Sequence, residues 1–181
     1  IWSRTMAASS EKRILVVDDE HLVRNFLFAC IEDAGFLVES AVNGVEALEK
    51  IKVNTPDLMT LDMVMPRKSG ISLMRKLRSN EKWATIPVIV ITAHAHDEFG
   101  SEDIQALKAL PESHRPKYTM EKPVTPEILV KTICGILEAE PDSNQQIIAK
   151  QKFGYREDII DIIKDTDEET LKKISEMLNK K

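Results

Sequence analysis

In the stretch Asp57-Leu58-Met59-Thr60-Leu61-Asp62-Met63-Val64-Met65-Pro66, a short apolar run ends on one carboxylate, Asp62, and a turn closed by Pro66 and Gly70 follows. A carboxylate delivered to the end of a buried strand can attack an electrophile such as phosphorus and become a covalent intermediate. Three other places hold groups suited to the same chemistry: the pair Asp18-Asp19, the hydroxyl of Thr92 and the ammonium of Lys122. Phosphoryl transfer to a carboxylate needs the attacking group, a divalent cation to neutralise the phosphate, and a cation and a hydroxyl for the transferred oxygens. Three carboxylates in one place repel, at about 4 kcal/mol per pair for a separation of ~4 Å and an effective dielectric of about 20. A metal ion offsets that repulsion, and an all-oxygen acidic site suits Mg²⁺. Taken singly, Asp18 or Asp19 is equally well read as a cap for the following helix, and Asp62 as a turn residue. Their occurrence together with Lys122 favours the chemical reading.

The elements that would position these groups are legible in the hydrophobic pattern. Arg13–Val17 is a continuous β-branched run, as expected of a central parallel strand covered on both faces. Leu22, Val23, Phe26, Leu27, Cys30 and Ile31 follow at helical spacing, and Gly35 stops that helix. Phe36–Ala41 reads as a second strand, and Val45, Leu48 and Ile51 mark a short helix broken by Pro56. The Asp62 strand comes third. Ile71, Leu73, Met74 and Leu77 form a helix opened by Ser69 or Gly70, and Pro87–Thr92 is a fourth strand. Asp97–Leu110 reads as helix and Lys117–Glu121 as a fifth strand. Thr125 is placed to cap a last helix with Pro126 at its first position, and Ile128, Leu129, Ile133, Ile136 and Leu137 are expected to face the core. Five strands alternating with five helices predict an α/β domain with a doubly wound parallel sheet and right-handed crossovers, over residues 11–138. Asp18, Asp19, Asp62, Thr92 and Lys122 each fall at or just past the C-terminal end of a strand, the edge where such sheets carry their sites.

Val16-Val17-Asp18-Asp19-Glu20, Asp62-Met63-Val64-Met65-Pro66 with Gly70, Ile91-Thr92-Ala93 and Glu121-Lys122-Pro123 together resemble the receiver domain of two-component response regulators. The resemblance implies a flavodoxin-like fold and phosphorylation of Asp62 by a phosphohistidine of a sensor histidine kinase or histidine phosphotransfer protein. It implies Mg²⁺ held by Asp19, Asp62 and the backbone carbonyl of Val64, and through water by Asp18. Thr92 would bind the phosphoryl group, and Lys122 would pair with it beside a cis peptide bond to Pro123. Phosphotransfer would be self-catalysed, which makes the protein a switch rather than an enzyme. Val64, an apolar side chain two residues after the acceptor, predicts slow autodephosphorylation.

The sequence departs from the family in one segment. Lys122 lies thirty positions after Thr92 (122 − 92), which implies about eight added residues, placed in Ala109–Pro116. The family's switch aromatic belongs at Thr119, whereas the aromatic here is Tyr118. Adjacent strand residues face opposite sides, so Tyr118 needs a bulge to take that role.

The 181 residues carry a net charge of −5 and are 43% hydrophobic, enough for one domain plus a small appendage. The mild acidity disfavours a large nucleic-acid footprint, and no apolar run is long enough to span a membrane. Cys30 and Cys134 lack metal-ligand spacing and fit a reducing, cytoplasmic setting. Residues 1–10 are expected to be disordered or foreign to the natural protein, 139–145 a linker, and 146–181 a helical extension with the stripe Leu171, Ile174 and Leu178. His94 and His96 read as part of a solvated loop rather than a metal site, and Trp83 as a packing residue. Three output readings stay open: a module signalling through an unknown downstream protein, with a homodimer allowed; the receiver fragment of a DNA-binding transcriptional regulator; and a phosphorylation-independent scaffold. Residues 141–181 hold eight basic and nine acidic side chains with no basic face, so this chain itself is not expected to bind nucleic acid. A phosphatase of the haloacid dehalogenase type would need a second acid where Val64 stands.

Overall fold

A computed structural model describes residues 7–63, 65, 70–92 and 102–141 of the chain. Strands β1 (Arg13–Val17), β2 (Leu37–Ala41), β3 (Leu58–Leu61), β4 (Val88–Thr92) and β5 (Tyr118–Glu121) form one all-parallel sheet in the order β2-β1-β3-β4-β5. Helices α1 (His21–Asp33), α2 (Gly44–Val53), α3 (Gly70–Arg78), α4 (Glu102–Lys108) and α5 (Pro126–Leu137) flank it. The doubly wound α/β architecture expected from the sequence is the one formed, and its strand order reverses between β1 and β3.

The two faces of the sheet separate by the two-residue period of a strand. Leu15, Val17, Met59, Leu61, Val88 and Val90 pack with α2, α3 and the end of α4. Their neighbours Ile14, Val16, Leu58, Ile89 and Ile91 pack with α1 and α5. Burial on both faces explains why these strands read as unbroken apolar runs. Trp83 packs against the first of these cores, as a packing residue should.

Local signals set the helix ends. Gly35 takes a positive φ of 92°, and its N–H bonds the Glu32 carbonyl at 2.8 Å while the N–H of Phe36 reaches Ile31 at 3.4 Å. This is the left-handed stop that glycine favours. Asn43 caps α2 by accepting from the N–H groups of Val45 and Glu46, and Thr125 caps α5 by accepting from Ile128.

Several expectations need correction. Leu22 is 82% exposed and Ile128 57% exposed, so neither faces the core. Leu22 lies off the face of Arg24, Leu27 and Ile31 that α1 buries, and Ile128 off the face of Leu129 and Ile133 that α5 buries. Ala7–Ala8 pairs in parallel with Ala139–Glu140, and Ser9 is buried. The segment leaving α5 thus offers its backbone to the N-terminal one. Val64, Pro66, Ser69, His94, His96, Asp97 and the helical extension 146–181 lie outside the described residues.

The added segment Ala109–Pro116 forms a single 3₁₀ turn, Glu112–His114, after Pro111. Leu110 anchors it in the core, and its carbonyl accepts from Arg115 Nε at 2.8 Å. β4 and β5 then pair without a bulge, from Ile89 with Tyr118 to Thr92 with Glu121. Tyr118 therefore stays at the far end of β5 from Lys122.

Candidate functional site

The adjacent central strands β1 and β3 end together, and each delivers an aspartate. The Asp62 N–H bonds the Val17 carbonyl at 2.9 Å and the Asp18 N–H bonds the Ala41 carbonyl at 3.2 Å, which fixes both backbones at the switch point of the sheet. Both carboxylates are buried, Asp18 at 1% and Asp62 at 4% exposure.

Lys122 comes from the loop after β5. Its backbone N–H bonds the Thr92 carbonyl at 3.0 Å, and the following peptide bond to Pro123 is cis, as expected. Its Nζ lies 2.8 Å from Asp62 Oδ2, 3.1 Å from Asp18 Oδ2 and 3.2 Å from Glu20 Oε1. Thr92 ends β4 and is fully buried.

The electrostatics follow from this placement. Burial pushes the Asp18 carboxyl above the usual carboxylate range, although the Lys122 charge pulls it back. Burial also works to lower the Lys122 pKa. The hydrogen bond and charge of Asp62, helped by Asp18, outweigh it and raise the ammonium above its ordinary value. Lys122 is therefore charged throughout the physiological range.

The carboxylates of Asp18, Glu20 and Asp62 have oxygens within 4.8 Å of one another. Glu20 in this set was not expected, and Asp19 is absent from it among the described residues. Asp18 Oδ1 accepts the Glu20 N–H at 2.8 Å, while Asp18 Oδ2 is buried with no hydrogen bond among the described residues and only the ion pair to Lys122. An all-oxygen set of three carboxylates, one of whose buried oxygens makes no hydrogen bond among the described residues, fits a small hard divalent cation such as Mg²⁺.

Arg24 also escaped the sequence reading. It is 9% exposed, and its Nη1 donates to the Asp18 carbonyl at 2.9 Å and the Asp19 carbonyl at 3.2 Å. It ties the acidic loop to α1. The signal was present, since Arg24, Leu27 and Ile31 share one helix face, and a cation on that face needs buried acceptors. Gly70 shapes the other side. A Cβ there would stand 2.6 Å from the Asp62 carbonyl oxygen and 3.0 Å from Met63 Cα, so only glycine lets α3 begin against the acceptor loop.

Comparison with known proteins agrees with this geometry. The family model of the response regulator receiver domain matches residues 14–133. The response regulator MprA of Mycobacterium sp. (strain KMS) is 41% identical over 131 residues, covering 72% of this chain and 53% of that protein. The MprA of Mycobacterium avium (strain 104) is 34% identical over 138 residues, covering 76% of this chain and 56% of that protein. The chain thus spans about half the length of the curated relatives it matches. Among solved structures, the chemotaxis response regulator CheY4 of Vibrio cholerae superposes with a TM-score of 0.59 at 29% identity, over 74% of this chain and 100% of that one. The receiver domain of the Francisella response regulator 1452 superposes with a TM-score of 0.58 at 28% identity, over 70% of this chain and 97% of that one. With its five-stranded flavodoxin-like sheet and its acidic site at the strand ends, this chain belongs to the response regulator receiver domain family of two-component signalling.

Proposed function

We propose that Asp62 accepts a phosphoryl group from the phosphohistidine of a sensor histidine kinase or histidine phosphotransfer protein, and that the signal passes on through protein contacts. The observation that carries this is the convergence of Lys122, Asp18 and Glu20 on the Asp62 carboxylate, with Lys122 Nζ at 2.8 Å. An Asp62 oxygen forms the new bond to phosphorus as the N–P bond of the donor imidazole breaks, and the electron pair stays on that nitrogen. Lys122, kept protonated by its carboxylate neighbours, exchanges its Asp62 contact for a phosphoryl oxygen. Thr92, at the end of the adjacent strand, offers a hydroxyl to another. Asp18, Asp62 and Glu20 would hold Mg²⁺, with Asp19 and the Val64 carbonyl completing the set that the family resemblance implies. When bound, Mg²⁺ neutralises phosphate charge and favours in-line attack. Self-catalysed phosphotransfer and slow autodephosphorylation would be the only reactions, in the cytoplasm.

Intact mass after incubation with acetyl phosphate tests the reading. A Mg²⁺-dependent adduct absent from Asp62→Asn is expected. No adduct on the wild-type chain with Mg²⁺ would refute it and favour a receiver fold acting as a phosphorylation-independent scaffold. A second reading, the receiver part of a longer DNA-binding transcriptional regulator, is favoured by the length of the relatives, of which the chain covers 53–56%.

A further inference from the structure

At the opposite end of the sheet from the acidic site, a cavity of about 420 Å³ opens beside the first residues of β4 and β5. Arg78, Arg115 and Lys117 line it together with Ser113, Tyr118 and Ile136. Two of the cations are held in place by backbone rather than by acids. Arg78 Nη1 donates to the carbonyls of Ala84 at 2.9 Å and Ile86 at 3.1 Å, and Arg115 Nε donates to the Leu110 carbonyl at 2.8 Å. Among the described residues no carboxylate lines the cavity, and none pairs with these three cations. Three like charges around one space repel unless an anion joins them. Arg78 is also half-buried, and burial lowers its pKa, so the charge nearest the protein interior has lost part of its hydration.

We infer that this cavity binds a small phosphate-bearing molecule with a planar or apolar part, of about the size of a nucleoside monophosphate. Positioned guanidinium forks match phosphate oxygens, and Lys117 adds a mobile point charge. The partly exposed ring of Tyr118 and the side chain of Ile136 offer the surface for the uncharged part. The volume falls within the roughly 300–1,000 Å³ of small-ligand sites. Ser113 and Arg115 belong to the added segment 109–116, so the residues that the phosphoryl-acceptor site does not use build one wall of the second site.

Calorimetric titration of the full chain with adenosine 5′-monophosphate, in buffer with chelator and no Mg²⁺, tests this. Binding with a Kd of about 0.1–1 mM is expected, with none for adenosine. The double variant Arg115→Ala/Lys117→Ala alters exposed side chains and should weaken binding by about tenfold or more, with unchanged circular dichroism. Asp62→Asn should bind as the wild type does, which separates this site from the acceptor. Absence of binding at about 10 mM, equal binding of adenosine, inorganic phosphate binding as tightly as the nucleotide, or an unaffected double variant would each overturn the proposal.

Discussion

Lys122 Nζ lies 2.8 Å from Asp62 Oδ2, and sixty positions of sequence separate the two residues. The ammonium compensates the buried Asp62 carboxylate, with the buried Asp18 as a second partner. Removing it leaves two buried acids facing each other. Lys122→Met is expected to destabilise the metal-free protein at pH 7 by about 3 kcal/mol, the usual cost of stranding a buried charge. The pH dependence has a fixed sign. The folded-state pKa of Lys122 is raised above its ordinary 10.5, so its contribution is fully present below that value and is lost as pH rises past the folded pKa. Urea unfolding of both proteins at several pH values from 7 to 10 should therefore show a constant difference. A difference that vanished over that range would contradict the assignment.

Arg24 holds the backbone of the acidic loop through two carbonyls. Arg24→Ala leaves the buried Asp18 carbonyl and the part-buried Asp19 carbonyl without their donor, at a cost of about 2 kcal/mol. Mg²⁺ affinity, read as the shift in melting temperature on adding the ion, should fall with stability because the Asp18 side chain loses its fixed backbone. Arg24→Lys should restore packing but not both bonds, since the ammonium of the shorter side chain stops short of the position from which Nη1 donates to both carbonyls. Full recovery of Mg²⁺ affinity by the lysine variant would show that Arg24 acts through packing alone.

Gly70→Ala introduces a Cβ at 2.6 Å from the Asp62 carbonyl oxygen, where backbone must move to make room. A destabilisation of about 1–3 kcal/mol is expected, together with slower phosphoryl uptake at Asp62. Gly44→Ala is the control. There the new atom meets only Leu73 at 3.4 Å, so stability should change little. If the two variants behaved alike, the close approach of α3 to the acceptor loop would have no consequence.

Thr60 stands in the middle of β3, 1% exposed, and its hydroxyl has no hydrogen-bond partner among the described residues. Thr60→Val keeps the shape and removes the unsatisfied group. It should stabilise the fold by about 1 kcal/mol and leave phosphoryl uptake unchanged. Loss of stability on chemical denaturation would show that the hydroxyl does have a partner.

The sequence by itself determined the sheet and where most of the candidate site residues fall on it. Continuous β-branched runs bounded by turn residues can be read as strands because both faces of a parallel sheet are buried, and the two faces of β1 and β4 alternate in the structure as that requires. Asp18, Asp62, Thr92 and Lys122 were legible because a site of this architecture lies at strand ends, and a strand end is a local feature. Tertiary structure alone decided the rest. Whether Asp19 or Glu20 turns toward Lys122 depends on how a short loop is pinned, and Arg24, six residues on from Asp18, does the pinning. Leu22 and Ile128 are apolar but exposed, because Leu22 lies off the face of Arg24, Leu27 and Ile31 that α1 buries and Ile128 off the face of Leu129 and Ile133 that α5 buries. The pairing of Ala7–Ala8 with Ala139–Glu140 has no sequence signal, since backbone groups make the contact. The cationic cavity draws on α3, the stretch 84–88 that leads into β4, the added segment, the start of β5 and α5, which only folding brings together.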